Sequence, residues 1–129
     1  MNDLTTIGVI GLGNAGLPIL NNLNKSNKYK LVAFDIDTKK LNDVPDNVVK
    51  ATSIRNLAEQ CNVALTCLPK PEHVLEVVDG KEGLLQNAST GMVWIDTSTT
   101  NFKQTQKLAI KASTSVSYTH LTLPTNREV

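Results

Sequence analysis

The sequence predicts an α/β protein whose core is a doubly wound parallel sheet. Apolar, strand-like runs alternate along the chain with helix-like segments, which is the pattern of a sheet with helices on both faces. The run at 63–68 is apolar on both faces, as expected for a strand covered by helices on each side. In such sheets ligands bind outside the carboxyl ends of the strands, where the strand order reverses.

The strand predictions depend on short apolar runs bounded by polar or turn-forming residues. The predicted strands cover residues 4–10, 30–35, 48–51, 63–68 and 92–95. Three loops, at residues 11–16, 68–71 and 96–100, follow strands at their carboxyl ends and are therefore the expected ligand-binding loops.

The helix predictions depend on apolar spacing and on capping residues. Leu17, Leu20 and Leu23 recur at a spacing of three and mark one buried face of a helix over 14–26. Ser53 is expected to cap a helix that ends near residue 60. The other helical segments are a turn at 38–42 stopped by Pro45, a helix after Pro71, a turn at 83–85 and a last helix that Asn101 caps. The expected buried positions are Val74, Leu75, Val77 and Val78 after Pro71, and Leu108 and Ile110 in the last helix.

A glycine-rich turn joins the first strand to the first helix. It comprises Gly11, Leu12, Gly13, Asn14, Ala15 and Gly16, with the G-x-G-x-x-G spacing of a dinucleotide-binding turn. Gly11 allows a tight turn, Gly13 leaves room for a pyrophosphate, and Gly16 allows the helix to pack close to the strand. Unpaired amides and the positive dipole at the helix start suit two phosphate charges. We therefore expect a Rossmann-type dinucleotide-binding domain.

A carboxylate follows the second predicted strand. Asp35 stands about 20 residues past the glycine turn, where this fold uses an acidic side chain to bind the adenosine ribose hydroxyls. The alternative is that Asp35 or Asp37 only opens the next turn, and this alternative is stronger for Asp37.

Length, charge and cysteine spacing exclude several classes. At 129 residues the chain is one domain, short for an enzyme that must hold both a dinucleotide and a substrate. A net charge of +1 with scattered lysines does not indicate a nucleic-acid-binding protein. With neither a signal peptide nor a membrane span in view, we expect a cytoplasmic protein. Cys61 and Cys67 suit neither a zinc pair nor a redox pair, so we expect two reduced core thiols and no metal site.

Four motifs occur in order within residues 5–112. They are Ile7-Gly-Val-Ile-Gly-Leu-Gly-Asn-Ala-Gly-Leu-Pro, Cys67-Leu-Pro-Lys-Pro-Glu-His-Val, Gly80-Lys-Glu-Gly-Leu-Leu and Ile95-Asp-Thr-Ser-Thr. Together they resemble the β-hydroxyacid dehydrogenases, which include 3-hydroxyisobutyrate dehydrogenase, tartronate semialdehyde reductase and, more distantly, 6-phosphogluconate dehydrogenase. Ala15 stands where this family usually has Met, which affects the local packing and not the class.

The resemblance implies roles for residues in the other two loops. Leu68 and Pro69 would line the cofactor, Thr99 would lie near the nicotinamide, and Ser98 would contact the substrate. His73 corresponds to a place near the cofactor. The residues alone leave alternatives open, because hydroxyls after a strand commonly cap a turn and a first-turn histidine is more often a surface or capping residue.

The residue after Asp35 bears on the choice between NAD and NADP. Ile36 stands there, whereas the resemblance implies Asn-Arg-Thr in NADP-preferring relatives, with the arginine receiving the 2′-phosphate. A carboxylate about 4 Å from that phosphate is repelled by roughly 4 kcal/mol per charge at an effective dielectric of 20. Half of this energy still exceeds the roughly 1.4 kcal/mol of a tenfold difference in affinity. NAD is therefore the predicted cofactor, in preference to NADP.

The resemblance also implies segments that do not occur in this sequence. They are a strand ending in Asp-Ala-Pro-Val-Ser-Gly-Gly and an all-helical domain with a catalytic lysine, the general acid/base for the substrate hydroxyl. No lysine here matches that motif, so we assign no catalytic residue. We expect a sheet that is incomplete at its C-terminal end, and a homo-oligomer when the protein is complete.

The last residues admit two interpretations. Residues 116–123 alternate in polarity and are compatible with a sixth strand. Residues 116–125 are the ten residues that GTC TCT TAT ACA CAT CTG ACG CTG CCG ACG would encode, which looks like the read-through of a transposon-type sequencing adapter. We therefore expect a native domain over 1–114 with an exposed sheet edge, and a foreign tail over 115–129 in which Tyr118 and His120 carry no function.

The predicted function is that of the NAD-binding domain of an oxidoreductase that interconverts a 3-hydroxy acid and its semialdehyde, inactive as this chain alone. An alternative of another class is a non-catalytic NAD-binding module that senses redox state or regulates a partner. A short-chain dehydrogenase is disfavoured, because no Tyr-x-x-x-Lys pair follows the sheet.

Overall fold

A parallel sheet forms the centre of the molecule. The computed structural model of the chain describes residues 4–88, 91–97, 102–112 and 117–120. Its strands are β1 Thr5–Ile10, β2 Tyr29–Phe34, β3 Val49–Lys50, β4 Val63–Thr66, β5 Val93–Asp96 and β6 Ser117–His120. All neighbouring pairs are parallel, in the order β3-β2-β1-β4-β5-β6. The order reverses between β1 and β4, which confirms the doubly wound prediction.

Helices connect the strands. They are α1 Gly16–Ser26, α2 Ile54–Gln60, α3 Pro71–Asp79, α4 Leu84–Asn87 and α5 Phe102–Ala112, with a 3₁₀ helix at Thr38–Asp43. The Ser53 hydroxyl accepts a hydrogen bond from the Asn56 amide at 2.9 Å and caps α2 as predicted. In the described part of the chain, no helix has the length and apolarity that crossing a membrane requires.

The two faces of the sheet carry separate apolar cores. Leu20 of α1 packs with Val9 of β1 on one face. Leu57 of α2 and Val78 of α3 pack with Trp94 of β5 on the other. Each of these five side chains is at most 1% exposed, so helices cover both faces as the sequence predicts.

Two of the expected buried helix positions are wrong. Leu75 is 42% exposed and Ile110 is 74% exposed. In α3 the buried residues are Val74 and Val78, one helical turn apart, and Leu75 is rotated by about 100° from Val74. Ile110 lies two positions, about 200°, from the buried Leu108, so it lies on the opposite side of α5.

Several element boundaries differ from the predicted ones. The helix expected from residue 14 begins at Gly16, because Gly13, Asn14 and Ala15 are used in the turn. The strand expected to reach residue 68 ends at Thr66. Asp96, expected as the first loop residue, is instead the last residue of β5, where it lies directly opposite Thr66. The β4 and β5 strands therefore end in register.

The sixth strand lies within residues 115–129, the segment that we expect to be foreign. Its backbone pairs with β5, from Val93 opposite Ser117 to Asp96 opposite His120. β6 covers the edge of β5, so the expectation of an exposed edge there is wrong. Strand pairing uses main-chain N–H and C=O groups, which a segment of any origin can supply. The pairing does not test whether the native sequence ends at residue 114, so that boundary stays a prediction.

Candidate functional site

The glycine turn and the loop after β4 meet at the carboxyl ends of adjacent strands. β1 pairs with β4, from Ile7 opposite Val63 to Ile10 opposite Thr66. The two chains leave the sheet side by side at the point where the strand order reverses. This is the location at which doubly wound sheets bind ligands.

Gly11 and Gly16 bring the turn into close contact with β4 and with itself. Gly11 has a φ of 101°, which favours glycine, and a Cβ there would overlap the carbonyl oxygen of Cys67. A Cβ on Gly16 would overlap the carbonyl oxygen of Gly11 and lie 3.3 Å from the Cys67 Cβ. The predicted packing roles of both glycines are therefore present in the structure.

Gly13 has a different environment, since a Cβ built on it meets no atom within 4 Å. Among the described residues, no acceptor contacts the amides of Gly13, Asn14 or Ala15. Ala15, the N-cap residue of α1, makes no side-chain capping hydrogen bond. The turn therefore has N–H donors without a protein acceptor at the positive end of a helix, and Gly13 leaves room beside them, which is what a pyrophosphate requires.

Asp35 lies at the end of β2, beside the glycine turn. Its Oδ2 accepts a hydrogen bond from the Leu12 amide at 2.8 Å, and its Oδ1 accepts one from the Asp37 amide at 2.8 Å. Asp37 instead accepts from the Lys39 amide at 3.1 Å and caps the 3₁₀ helix. Both aspartates therefore accept from the amide two residues on, as a turn-opening residue does, and Asp35 alone of the two also contacts the glycine turn.

The structure brings Leu68 to the glycine turn and leaves His73 apart. Leu68 is partly buried, and its Cδ2 lies 3.1 Å from the position that a Gly11 Cβ would take. Pro69 is exposed in the same loop. His73 is exposed in the first turn of α3, with its amide bonded to the Lys70 carbonyl at 3.0 Å. The two other predicted residues, Ser98 and Thr99, lie outside the described part of the chain.

A buried polar cluster at the ends of β4 and β5 was missed by the sequence reasoning. We call it the strand-end brace and define it as Thr66, Trp94, Asp96 and Thr97. Thr66 and Asp96 are both fully buried, and the Thr66 hydroxyl donates to Asp96 Oδ1 at 2.9 Å. The sequence does show a threonine and an aspartate at the ends of two apolar runs. Whether these two residues meet depends on the register of the strands, which the sequence pattern does not give.

The two cysteines are free and have different surroundings. Burial raises the pKa of the Cys61 thiol from 9.0 to about 11. Burial also raises the pKa of the Cys67 thiol, the Thr97 hydroxyl opposes this shift, and the charge of Asp96 adds to it. Cys61 is a core thiol as expected, but Cys67 is only partly buried and lies at the edge of the site.

The residues present fit a dinucleotide better than they fit a metal ion. Among the described residues, the donors of the glycine turn at Gly13, Asn14 and Ala15 have no protein acceptor, Gly13 leaves open space there, and a carboxylate follows the neighbouring strand β2. Within the described ranges, no three His, Cys, Asp or Glu side chains come together as metal ligands. Phosphates would bind at the turn and ribose hydroxyls at Asp35.

Comparisons with known proteins give the same type of domain. Residues 6–124 match the model of the NAD binding domain of 6-phosphogluconate dehydrogenase. The chain is 33% identical over 112 residues to the mitochondrial 3-hydroxyisobutyrate dehydrogenase of Mus musculus, which covers 84% of this chain and 32% of that protein. A structure of Mycobacterium tuberculosis 3-hydroxyisobutyrate dehydrogenase with L-serine has a TM-score of 0.78 at 24% identity, over 90% of this chain and 39% of that one. Psf3 in complex with NADP+ and 2-OPP has a TM-score of 0.80 at 25% identity, over 87% of this chain and 40% of that one.

The chain spans about a third of the length of the curated relatives it matches. The NADP+ bound to Psf3 gives no support to a preference for NAD. The comparisons therefore indicate a domain that binds a nicotinamide dinucleotide and do not distinguish NAD from NADP. The preference for NAD depends on the residues of this chain.

Proposed function

The chain belongs to the family of NAD-binding domains of 6-phosphogluconate dehydrogenase, and we propose that it is the cofactor domain of an oxidoreductase that interconverts a 3-hydroxy acid and its semialdehyde. One observation carries this proposal. In the described part of the chain, the amides of Gly13, Asn14 and Ala15 have no protein acceptor, and Gly13 leaves open space at the reversal of strand order, beside the carboxylate of Asp35. Sequence similarity to 3-hydroxyisobutyrate dehydrogenases supports the reaction class.

Each part of the site has its own task in holding the dinucleotide. The amides of Gly13, Asn14 and Ala15 bind the pyrophosphate, and the dipole of α1 adds a favourable field. Asp35 accepts hydrogen bonds from the adenosine ribose hydroxyls. Leu68 and the loop after β5 would hold the nicotinamide half on the other side of the reversal point. The bound cofactor supplies a hydride acceptor for the substrate alcohol, and the protein supplies position and exclusion of water.

The preference for NAD over NADP is part of the proposal. Asp35 already accepts from two amides, so its carboxylate is held at the end of β2 and does not swing away to admit a 2′-phosphate. Ile36, the next residue, is 89% exposed and offers no positive charge to a phosphate. Repulsion of roughly 4 kcal/mol per charge at about 4 Å, halved by solvent, still favours NAD by more than tenfold.

The chain by itself is proposed to bind the cofactor without turning over substrate. Oxidation of a secondary alcohol requires removal of the hydroxyl proton as the carbonyl forms, and no residue of this chain is assigned to that task. We propose that the complete protein supplies the missing acid/base group and forms a homo-oligomer.

The test compares two preparations. Isothermal titration of the 129-residue chain with NAD measures binding, and NADH formation from 3-hydroxyisobutyrate by this chain and by the complete gene product measures turnover. We expect the chain to bind NAD with no turnover, and the complete protein to turn over. A complete protein that binds NAD but oxidises no 3-hydroxy acid would overturn the proposed reaction and favour a non-catalytic module.

A further inference from the structure

We propose that the strand-end brace positions the nicotinamide half of the bound dinucleotide, with Thr66, Asp96 and Thr97 acting as positioning residues. This inference depends on the proposed cofactor function. The brace lies at the carboxyl ends of β4 and β5, the edge of the sheet at which doubly wound folds bind ligands. Its residues act by fixing the end of β4 and the loop after it, and not through contact with the cofactor.

The first arm of the brace fixes the end of β4 against β5. Thr66 and Asp96 lie opposite each other in register, and each is the last residue of its strand. The Thr66 hydroxyl donates its one proton to Asp96 at 2.9 Å and accepts from the Trp94 indole N–H at 3.0 Å. Because both partners are determined, the hydroxyl has one orientation and the side chain one rotamer.

The second arm fixes the start of the loop after β5. Both the amide and the hydroxyl of Thr97 donate to the Thr66 carbonyl, at 2.9 Å and 3.0 Å. The same hydroxyl lies 2.7 Å from the Cys67 sulfur. Thr97 is therefore held by the last residue of β4 and by the first residue of the loop after it.

The brace also reaches the glycine turn through Cys67. The Cys67 amide donates to the Ile10 carbonyl at 2.9 Å, and the Cys67 carbonyl lies where a Gly11 Cβ would be. Leu68, the next residue, packs against the same glycine. A shift of the β4 end therefore moves Leu68 relative to the turn.

A role limited to stability does not explain this arrangement well. Burying a carboxylate is costly, and a well-packed apolar pair of similar volume often stabilises a fold as much or more. The adenosine half of the site lies elsewhere, because Asp35 directly follows β2, which lies on the far side of β1 from β4. A positioning role therefore predicts that changes in the brace weaken binding of the nicotinamide half and leave binding of the adenosine half unchanged.

The experiment uses two ligands that differ only by the nicotinamide. Calorimetric titrations with NAD and with ADP-ribose are performed on the wild-type chain, Thr66→Val and Thr66→Ser. Valine keeps the shape and removes the hydroxyl, which leaves buried polar groups without their partner, whereas serine keeps the hydroxyl. We expect Thr66→Val to weaken NAD about tenfold and ADP-ribose less than about twofold, and Thr66→Ser to restore NAD binding.

Two further variants serve as a second test of the brace and as a control. Thr97→Val removes the hydroxyl contacts of the second arm and keeps its main-chain hydrogen bond, at a partly buried position. If Thr66→Val does not fold, Thr97→Val should show the same difference between NAD and ADP-ribose. Cys61→Ala is the control, because Cys61 is buried just before the opposite end of β4. It should change the affinity for the two ligands equally or not at all.

The outcomes separate this inference from the proposed function. If the wild-type chain binds neither ligand, the cofactor function itself fails. If the wild-type binds both but Thr66→Val and Thr97→Val weaken NAD and ADP-ribose equally, or weaken neither, the positioning role is wrong and the cofactor function stands.

Discussion

The carboxylate of Asp35 accepts a hydrogen bond from the Leu12 amide at 2.8 Å, which ties the end of β2 to the glycine turn after β1. Its other oxygen accepts from the Asp37 amide. An ionised carboxylate has about four acceptor positions, so two remain for ribose hydroxyls. The acidic side chain is therefore held in place before the ligand arrives, and its ordering costs little on binding.

Replacing Asp35 by asparagine should reduce the discrimination between NAD and NADP. The change removes the charge that repels a 2′-phosphate and keeps one acceptor oxygen. We expect the wild-type chain to bind NAD at least about tenfold more tightly than NADP, and Asp35→Asn to narrow that ratio by about tenfold or more. Titration with both dinucleotides measures the ratio.

Asp37→Asn is the matched control for this prediction. It removes the same charge two residues away, at an exposed position that caps the 3₁₀ helix. The ratio of the two affinities should stay near the wild-type value. Equal affinity of the wild-type chain for NAD and NADP would contradict the proposed preference.

Local patterns were sufficient to predict the sheet class, the order of the elements and the glycine turn. The alternation of strand and helix and the spacing of Gly11, Gly13 and Gly16 are contained in neighbouring residues. The position of Asp35 beside the turn also followed, because parallel strands end at the same edge. These patterns do not show which side of a helix packs against its neighbours. For this reason Leu75 and Ile110 were predicted to be buried and are exposed.

Substitutions at two glycines should separate binding from folding. Gly13→Ala places a methyl group in open space at the pyrophosphate position, so stability should stay within about 0.5 kcal/mol of wild type while NAD affinity falls about tenfold or more. Gly11→Ala meets a positive φ and the Cys67 carbonyl, so it should cost more than about 1 kcal/mol of stability. Urea denaturation and NAD titration measure the two quantities. NAD binding unchanged in Gly13→Ala would contradict the assigned phosphate position.

The Cys61 thiol should make stability fall with alkaline pH. Its folded pKa is raised from 9.0 to about 11, so between these values the unfolded state loses the proton first and is favoured. The contribution is fully present below pH 9.0 and is lost as the pH approaches 11. Between pH 8 and pH 10.5 the loss is about 2 kcal/mol.

Comparison with Cys61→Ala isolates this contribution, since lysines and tyrosines also titrate in this range. Urea denaturation at both pH values should show a smaller decrease in the variant than in the wild type. A decrease of the same size in both proteins would show that burial does not suppress ionisation of this thiol.

The strand-end brace shows why part of the site was beyond local reasoning. Thr66 and Asp96 are 30 positions apart, and their contact exists only because β4 and β5 pair in one register. A shift of one residue would turn one of them to the other face of the sheet. The sequence identified the loops after these strands but not the buried pair that fixes their ends.

Re-sequencing the source DNA beyond codon 114 from an independent library tests the proposed foreign origin of residues 115–129. We expect a reading frame that continues into an Asp-Ala-Pro-Val-Ser-Gly-Gly-like strand and a lysine-bearing helical domain. Recurrence of residues 116–129 followed by a stop codon would refute the adapter origin and favour a small regulatory NAD-binding module.

The cofactor function is tested most directly by titrating the ¹⁵N-labelled chain with NAD and following its amide resonances. We expect the resonances of Gly13, Asn14, Ala15 and the Asp35 region to shift, and those of the opposite end of the sheet, near Cys61, to stay in place. No shift at the glycine turn at millimolar NAD, or shifts confined to another surface, would show that this turn is not a dinucleotide site.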